Sequence, residues 1–209
     1  MSSGLRRITG CVFAMLIWAS LSSAADLKSA KHAYERKDYA VALKEFMPMA
    51  EQGNAEAQLY LGKMYMLGQG SLKDPDQAVK WFKTSAEQGN ADAQFFLGSY
   101  YLLPHLNIAE GVRWLRLSAE QGQQDAQLLL GKSYLLGDKD LPRDPVQAEM
   151  WLRLAAKKNL DFYQTELVSA EGQMTQAEVS AGKALAAVWK PKTATGPASR
   201  TDTSPIEKN

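Results

Sequence analysis

The stretch WFKTSAEQGNADAQFFLGSYY, residues 81–101, decides the fold because the chain repeats it almost unchanged. A second copy, WLRLSAEQGQQDAQLLLGKSY, begins at Trp114. An earlier copy, EFMPMAEQGNAEAQLYLGKMY, begins at Glu45 and lacks the tryptophan. A fourth and less similar copy, WLRLAAKKNLDFYQ, begins at Trp151.

The copies have a regular spacing, which we measure at the glycine they share. Gly53, Gly89 and Gly122 are followed by Asn159 in the last copy, with steps of 36, 33 and 37 residues. A period in this range is typical of stacked supersecondary units, each too small to bury its apolar face alone. Such arrays more often hold another molecule than perform chemistry.

Each copy predicts two helices. In the first helix, Ala57, Leu61 and Tyr65 lie at i, i+4 and i+8, which is one face of an α-helix, with Gly62 beside the leucine. The same set recurs as Ala93, Leu97, Gly98 and Tyr101, and as Ala126, Leu130, Gly131 and Tyr134. A glycine inside a helix costs about 1 kcal/mol relative to alanine, so its recurrence indicates a close approach between helices.

The second helix has clear start and stop signals. Asp74 precedes Pro75 and Asp144 precedes Pro145, which places an N-cap acceptor before a proline in the first helical position. Apolar positions then follow as Ala78, Trp81, Phe82 and Ala86, and again as Ala148, Trp151, Leu152, Ala155 and Ala156. We expect the shared glycine to end this helix in the left-handed conformation, and the asparagine after it to cap the next one.

These motifs resemble the Sel-one-like repeat family, a relative of the tetratricopeptide repeats. The resemblance spans about residues 38 to 164, and rests on the AEQGNAxAQxxLGxxY core, the Gly68–Gln69–Gly70 loop and the Asp-Pro helix start. It implies an all-α, right-handed superhelical solenoid of about four two-helix repeats over residues 26–190. A capping box at Thr175 to Glu178 predicts a last helix, extending to Lys190, that shields the end of the stack.

Two departures from the repeat pattern carry predictions. The spacing from Gly98 to Gly111 is 13 residues, against 16 from Gly62 to Ala78, so the loop around Pro104 and His105 should be shorter. In the fourth unit Val168 stands where the mid-helix glycine would be, so we expect its first helix to pack less closely.

Residues 1–25 are predicted to be an export signal. Arg6 and Arg7 precede the apolar segment CVFAMLIWA, and small residues lead to Ala25. The apolar segment is about half of the roughly 20 residues that a spanning helix needs. We expect cleavage near Ala25, a periplasmic or secreted protein, and no membrane insertion after cleavage. The lipoprotein-like box at Ile8 to Cys11 leads into the apolar segment instead of following it, so we do not expect Cys11 to be lipidated.

Loss of the signal changes the charge and the cysteine content. Removing Arg6 and Arg7 lowers the 24 basic residues to 22, against 23 acidic ones, so the net charge changes from +1 to −1. Nothing in that balance favours nucleic acid or an anionic membrane as a partner. Loss of Cys11, the one cysteine, means that burial alone must hold the fold. Residues 191–209 are rich in Pro, Thr and Ser and predict a disordered tail.

Candidate catalytic motifs are weak. Gly131–Lys132–Ser133 resembles the end of a phosphate loop, but it falls inside a predicted helix and lacks the preceding glycine. Ser180 and Lys183 match the Ser-x-x-Lys of penicillin-recognising enzymes without the partner motifs. His32 and His105 lack a metal-ligand spacing. We therefore expect no enzyme activity, cofactor or metal.

The resemblance also implies a binding surface, because the first helices of tetratricopeptide arrays line an inner groove. Carried over by register, the groove side chains, here called the inner set, are Leu59, Lys63, Met66, Phe95, Ser99, Leu102, Leu128, Lys132 and Leu135. An apolar floor with two lysines suits an extended or acidic peptide of a partner protein. In the alternative interpretation the same side chains pack against neighbouring helices.

These observations predict an exported, non-enzymatic bacterial scaffold or adaptor that binds a protein or peptide in the cell envelope. Two alternatives stay open. One is a hydrolase directed at the cell wall or at β-lactams, as implied for some members of the repeat family. The other is a structural homo-oligomer in which a second copy closes the groove.

Overall fold

The described part of the chain is α-helical, as predicted. The structure is a computed structural model that describes residues 26–103, 106–139, 141–157 and 160–193. Ten helices occur in these ranges, together with an isolated antiparallel bridge between Asp138 and Leu141. None of the helices in these ranges is long and apolar enough to cross a membrane. The predicted export signal, His105 and positions 194–209 of the predicted tail lie outside the described residues.

The chain divides into two compact units, the first ending at Trp81 and the second beginning at Phe82. The first unit contains α1 (26–35), α2 (Tyr39–Glu51), α3 (Ala55–Leu67) and the beginning of α4 (Pro75–Glu87). Its core is built on Phe46, Leu61 and Met64, which are fully buried, and the ring of Phe46 stacks on Tyr60 at 4.8 Å between centroids.

The second unit contains the end of α4 and six further helices. They are α5 (Ala91–Tyr101), α6 (Ile108–Glu120), α7 (Gln124–Leu136), α8 (Pro145–Ala156), α9 (Asp161–Glu171) and α10 (Gln176–Val188). Each of α5 to α8 packs against the next helix in the chain, so two-helix repeats follow one another. Leucines and alanines form one continuous core, in which Leu115, Leu130 and Leu152 are almost completely buried.

The predicted helix caps are confirmed. The Asn54 and Asn90 side chains accept hydrogen bonds from the backbone amides of Ala57 and Ala93, at 2.9 and 3.0 Å. Asp74 and Asp144 cap α4 and α8 in the same way. Gln123 stands at the equivalent position before α7, where its longer side chain accepts from the amide of Ala126 at 2.5 Å. The glycines at 53, 89 and 122 all have φ near +90°, so they leave the helix as expected.

A glutamine of the repeat, buried in the first three copies and half-buried in the fourth, joins successive helices, a role that the repeat pattern alone did not predict. In each first helix the amide of this glutamine donates to a backbone carbonyl eight residues earlier, in the last turn of the preceding helix. The pairs are Gln58 with Ala50, Gln94 with Ala86, Gln127 with Ala119 and Gln164 with Ala156. The glutamine thereby satisfies buried polar groups and fixes the angle of the helix turn.

The mid-helix glycine allows a close approach between two helices, as predicted. A Cβ atom on Gly98 of α5 would lie 2.8 Å from Cγ of Leu115 and 3.0 Å from the carbonyl oxygen of Gly111, both on α6. A Cβ on Gly131 of α7 would meet Leu152 of α8 at 2.7 Å. Any larger side chain at these positions would push the two helices of the unit apart.

The three-residue deletion shortens both a helix and a loop. Helix α5 has 11 residues, whereas α3 and α7 have 13 each. The connection from α5 to α6 covers positions 102–107, one residue fewer than positions 68–74 between α3 and α4. Asn107 still caps α6 through the amide of Glu110, so the second helix begins normally.

The last helices depart from the repeat arrangement. Helix α10 ends at Val188, two residues before the predicted end, and its capping box at Thr175 and Glu178 is confirmed. It packs chiefly on α8, and Val168 of α9, at the position of the missing glycine, is 65 % exposed. Gly182 makes the close approach instead, because a Cβ there would lie 2.5 Å from Cβ of Glu149 on α8.

Candidate partner-binding surfaces

In the first unit, the inner set contributes one buried and two half-buried side chains. Leu59 is 4 % exposed, so it offers almost no surface to a partner. Lys63 and Met66 are half-buried, and the Lys63 ammonium lies 5.2 Å from the centroid of the Tyr60 ring. This cation–π contact holds the lysine against α3.

In the second unit, much of the inner set belongs to the core. Leu128 and Leu135 of α7 are buried, and Phe95 and Leu102 of α5 pack against the same core while staying half-buried. Ser99 is also half-buried. For the two buried leucines, the structure therefore favours the interpretation of packing between helices over that of an open apolar floor.

Lys132 forms an ion pair with a neighbouring helix. Its ammonium lies 2.8 Å from a carboxylate oxygen of Glu166 on α9, and both side chains are partly exposed. A partly exposed pair of this kind contributes little to stability and can exchange partners. The adjacent Ser133 hydroxyl donates to the carbonyl of Leu129 within α7, so the candidate phosphate loop is ordinary helix.

The other candidate catalytic residues also have structural roles. Ser180 is exposed on α10 and its hydroxyl donates to the Gln176 carbonyl at 2.8 Å, while Lys183 lies 3.4 Å from Glu171. His32 lies on α1 and is exposed. Among the described residues, no group of three or more His, Cys, Asp or Glu side chains is placed to hold a metal ion.

A cavity of about 550 Å³ lies in the second unit, where α6, α7 and the loop before α8 meet. We call it the arginine cavity. Its main lining side chains are Arg116, Tyr134, Leu141, Arg143 and Trp151, and Glu120, Asp144, Gln147 and two prolines complete the wall. Trp151 is buried and contacts the edge of Trp189, which follows α10.

Both arginines of the cavity are held by neutral acceptors. Arg116 donates through Nη2 to the Tyr134 hydroxyl, and its guanidinium lies 6.0 Å from that ring. Arg143 donates through Nε to the Leu135 carbonyl at 3.1 Å and through Nη2 to the Gln173 carbonyl at 3.0 Å. The cavity thus combines positive charge with an aromatic and apolar wall.

Comparison with known proteins gives the family. The model of the Sel1 repeat matches residues 55–90, 91–123 and 124–160, which together make up half of the chain. The chain belongs to the Sel1 repeat family. Each matched segment begins at the first residue of a first helix, at α3, α5 and α7, and so contains one two-helix unit and the turn that follows.

A solved Sel1 structure shows the same fold class. A Sel1 repeat protein from Oxalobacter formigenes is 30 % identical with a TM-score of 0.62, and the alignment covers 68 % of this chain and 59 % of that one. Protein c5321, a protective antigen of uropathogenic Escherichia coli with an SLR fold, is 25 % identical with a TM-score of 0.44, over 78 % and 44 % of the two chains. No match was found among curated proteins. Sel1 repeat proteins are generally scaffolds for protein interactions.

A second opening, which we call the terminal cleft, follows from the departure of α10 from the Sel1 arrangement. It has a volume of about 480 Å³ and is lined by Arg153, Lys157, Leu167, Lys183 and small apolar residues of α8 and α10. Helix α10 packs chiefly on α8, and the cleft lies where α8, α9 and α10 meet.

A charged network lies beside the terminal cleft. Arg153 donates to Glu149 at 2.7 Å and to Glu171 at 2.6 Å, and Lys183 lies near the same Glu171 oxygen. Glu149 is fully buried. Burial raises the pKa of its carboxyl group, and the hydrogen bond from Arg153 opposes that rise. The network joins α8, α9 and α10, so its first role is to hold the terminal helices together.

Sequence reasoning missed both openings. Arg116 lies in the repeated Trp-Leu-Arg-Leu motif but Arg143 lies outside the repeated segments, and the two are 27 residues apart in sequence. One available signal was the connection before α8, residues 137–144, which is one residue longer than the equivalent connection at 68–74. An extra residue in a repeat usually maps to a loop on one face, often the binding face.

Proposed function

We propose that this protein is an exported, non-enzymatic scaffold that binds a protein partner in the bacterial cell envelope. The observation that carries the proposal is the run of three consecutive Sel1 repeats from residue 55 to residue 160. The signal-like composition of residues 1–25 supports the location. The absence of cysteine after Ala25 fits a fold held by the burial seen in both cores.

Within the second unit, we propose that a partner contacts the half-buried members of the inner set. Phe95 supplies apolar surface. The ammonium of Lys132 can leave Glu166 and pair instead with an acidic side chain of the partner. The buried Leu128 and Leu135 hold these side chains in place through the shared core. Lys63 and Met66 offer a comparable surface on the first unit.

The test is site-specific photo-crosslinking in intact cells. A photoreactive residue at position 95 is expected to capture a defined envelope protein, whereas the same residue at the exposed position Asp76 should not. The captured protein is then purified and titrated against wild type, Phe95→Ala, Lys132→Glu and the control Lys83→Glu. Unchanged affinity for both inner-set variants would remove this surface from the proposal.

Export is tested separately by fractionation and N-terminal sequencing. The mature chain is expected in the periplasm, beginning at or near Asp26. Cytoplasmic protein that retains residues 1–25 would contradict this part of the proposal.

A homo-oligomer is a second candidate, because the last two helices expose large apolar side chains. Phe162 and Val168 of α9 and Val188 of α10 are each more than half exposed. Apolar side chains exposed on adjacent helices are typical of protein contact surfaces. Sedimentation equilibrium distinguishes a monomeric adaptor from a self-associating structural protein.

A further inference from the structure

We propose that the arginine cavity binds an acidic segment of a partner protein, with an apolar side chain of that segment placed between two of its carboxylates. This inference rests on the proposed function, since it requires that the protein bind a protein partner. It adds a surface distinct from the inner set, and it defines the chemistry of the ligand.

Among the described residues, two arginines and two carboxylates line the cavity and Lys192 pairs with one of those carboxylates, so these groups sum to one positive charge. Glu120 is already paired with Lys192, whose ammonium lies 3.0 Å away and whose backbone amide donates to the Glu120 carbonyl at 2.8 Å. Asp144 accepts from the amide of Gln147, so it serves as the N-cap of α8. The two lining carboxylates are therefore occupied, while Arg116 and Arg143 donate to uncharged oxygens.

The arginines retain donors for an incoming carboxylate. A guanidinium has five N–H donors. Arg116 uses only its Nη2 group, which donates to the Tyr134 hydroxyl. Arg143 uses Nε and Nη2, which donate to two backbone carbonyls. Within the described chain, neither forms an ion pair within 4 Å. Glu178 feels the charge of Arg143, but hydrogen bonds from Thr175 are the larger causes of its lowered pKa. Carboxylates are the acceptors that match the planar guanidinium fork.

Arg143 is positioned before any ligand arrives. Its two hydrogen bonds join the end of α7, at Leu135, to the turn before α10, at Gln173. A guanidinium held at two points loses less conformational entropy when it binds than a free surface arginine does. Arg143 is itself exposed, and these two hydrogen bonds fix its guanidinium beside the cavity.

The remaining wall accepts an apolar side chain. Tyr134, Leu141 and Trp151 are each less than 10 % exposed, and the small surface that they leave, together with Pro142 and Pro145, forms the apolar part of the wall of the cavity, which has a volume of about 550 Å³. A volume of this size lies within the range of roughly 300–1,000 Å³ that is typical of ligand sites. It accommodates one large side chain together with its flanking backbone, which makes a short acid–apolar–acid segment the best match.

The experiment measures peptide binding by fluorescence anisotropy, with the purified protein and a labelled peptide of sequence Gly-Ser-Asp-Glu-Phe-Asp-Glu-Ser-Gly. The control peptide replaces each acid by its amide. We expect the acidic peptide to bind about tenfold more tightly than the control, because each lost charge-assisted hydrogen bond weakens affinity. Raising the salt concentration should reduce that difference.

Matched variants locate the binding. Arg116→Gln should weaken binding of the acidic peptide about tenfold, and Arg116→Lys should restore part of it, since charge returns without the planar fork. The control is Arg113→Gln on the same helix, because Arg113 pairs with Glu110 and does not line the cavity. Far-UV circular dichroism checks that each variant is folded. Arg143→Gln is tested second, because this change also removes the two hydrogen bonds that hold the loop before α8 in place.

Three results would overturn the proposal. They are equal binding of the acidic and amide peptides, equal loss of affinity in Arg116→Gln and Arg113→Gln, and displacement of the peptide by millimolar inorganic phosphate, which would show a general anion site. The proposed function is judged apart from these results. A captured envelope partner that binds Arg116→Gln as tightly as wild type contradicts the cavity proposal alone. Peptide binding that depends on Arg116, without any partner captured at position 95, contradicts the inner-set surface and leaves the cavity proposal standing.

Discussion

Replacing Gly98 by alanine tests whether the repeated glycine holds the two helices of a unit together. The new Cβ would lie 2.8 Å from Cγ of Leu115, and 3.0 Å from both the Leu115 amide nitrogen and the Gly111 carbonyl oxygen. Favourable contacts between carbon atoms lie at about 3.5–4.0 Å, so α5 and α6 must separate. Overpacking of this kind costs about 1–3 kcal/mol, and the better helix propensity of alanine returns about 1 kcal/mol.

We expect a net loss of about 2 kcal/mol in the free energy of unfolding, because two of the three crowded atoms belong to the backbone and cannot rotate away. Urea denaturation followed by circular dichroism should show a midpoint lower by about 1 M, for a slope of about 2 kcal/mol per M. Gly172→Ala is the matched control. Gly172 has φ −63°, and the nearest atom to its Cβ lies 3.5 Å away, so this change should leave stability equal or slightly higher. A Gly98→Ala protein as stable as the control would refute the packing argument.

Three further changes test separate parts of the second unit. Trp114→Ala should cost about 3–5 kcal/mol by thermal or urea unfolding, because the ring is 2 % exposed and its Nε1 donates to a carboxylate at 2.7 Å; a cost near zero would contradict the observed burial. Gln94→Met should cost about 1 kcal/mol in the same assay, because the Ala86 carbonyl loses its side-chain donor but keeps the amide of a following glycine. The hydrogen bond to Asp125 raises the pKa of Tyr163 from 10.0 to about 12, so its contribution to stability is complete below pH 10 and is lost as the pH rises through about 12. Absorbance titration of wild type against Asp125→Asn measures the shift, and an unchanged tyrosine titration would contradict it.

The repeat architecture could be predicted because its signals are local. The cap Asn90 accepts a hydrogen bond from an amide three residues away, and Gly89 ends its helix through its own φ of +89°. Each signal occurs in several copies, so chance agreement at one position does not decide the register. The start of α8 at Pro145 was predicted in the same way, from an aspartate and a proline alone.

The surfaces could not be predicted because they depend on contacts between distant residues. Register alone placed Leu128 and Lys132 on one helical face, but it did not show that a core covers the leucine or that Glu166, 34 residues later, pairs with the lysine. The arginine cavity has the same difficulty, since Arg143 is fixed by Gln173, 30 residues away. In a repeat array, the neighbouring repeat decides which side chains stay exposed. The sequence of one repeat alone does not contain that information.

The terminal helix shows how one missing glycine redirects packing. In α5 and α7 a glycine lets the second helix of the unit lie close, whereas α9 has Val168 at that position and presents it to solvent. The close approach moves to Gly182 on α10, which fits against the stem of Glu149 on α8. Burial of that glutamate would be costly without a partner, and Arg153 supplies one while also reaching Glu171 on α9. The missing glycine, the close approach at Gly182, the charged network and the terminal cleft thus lie together where α8, α9 and α10 meet.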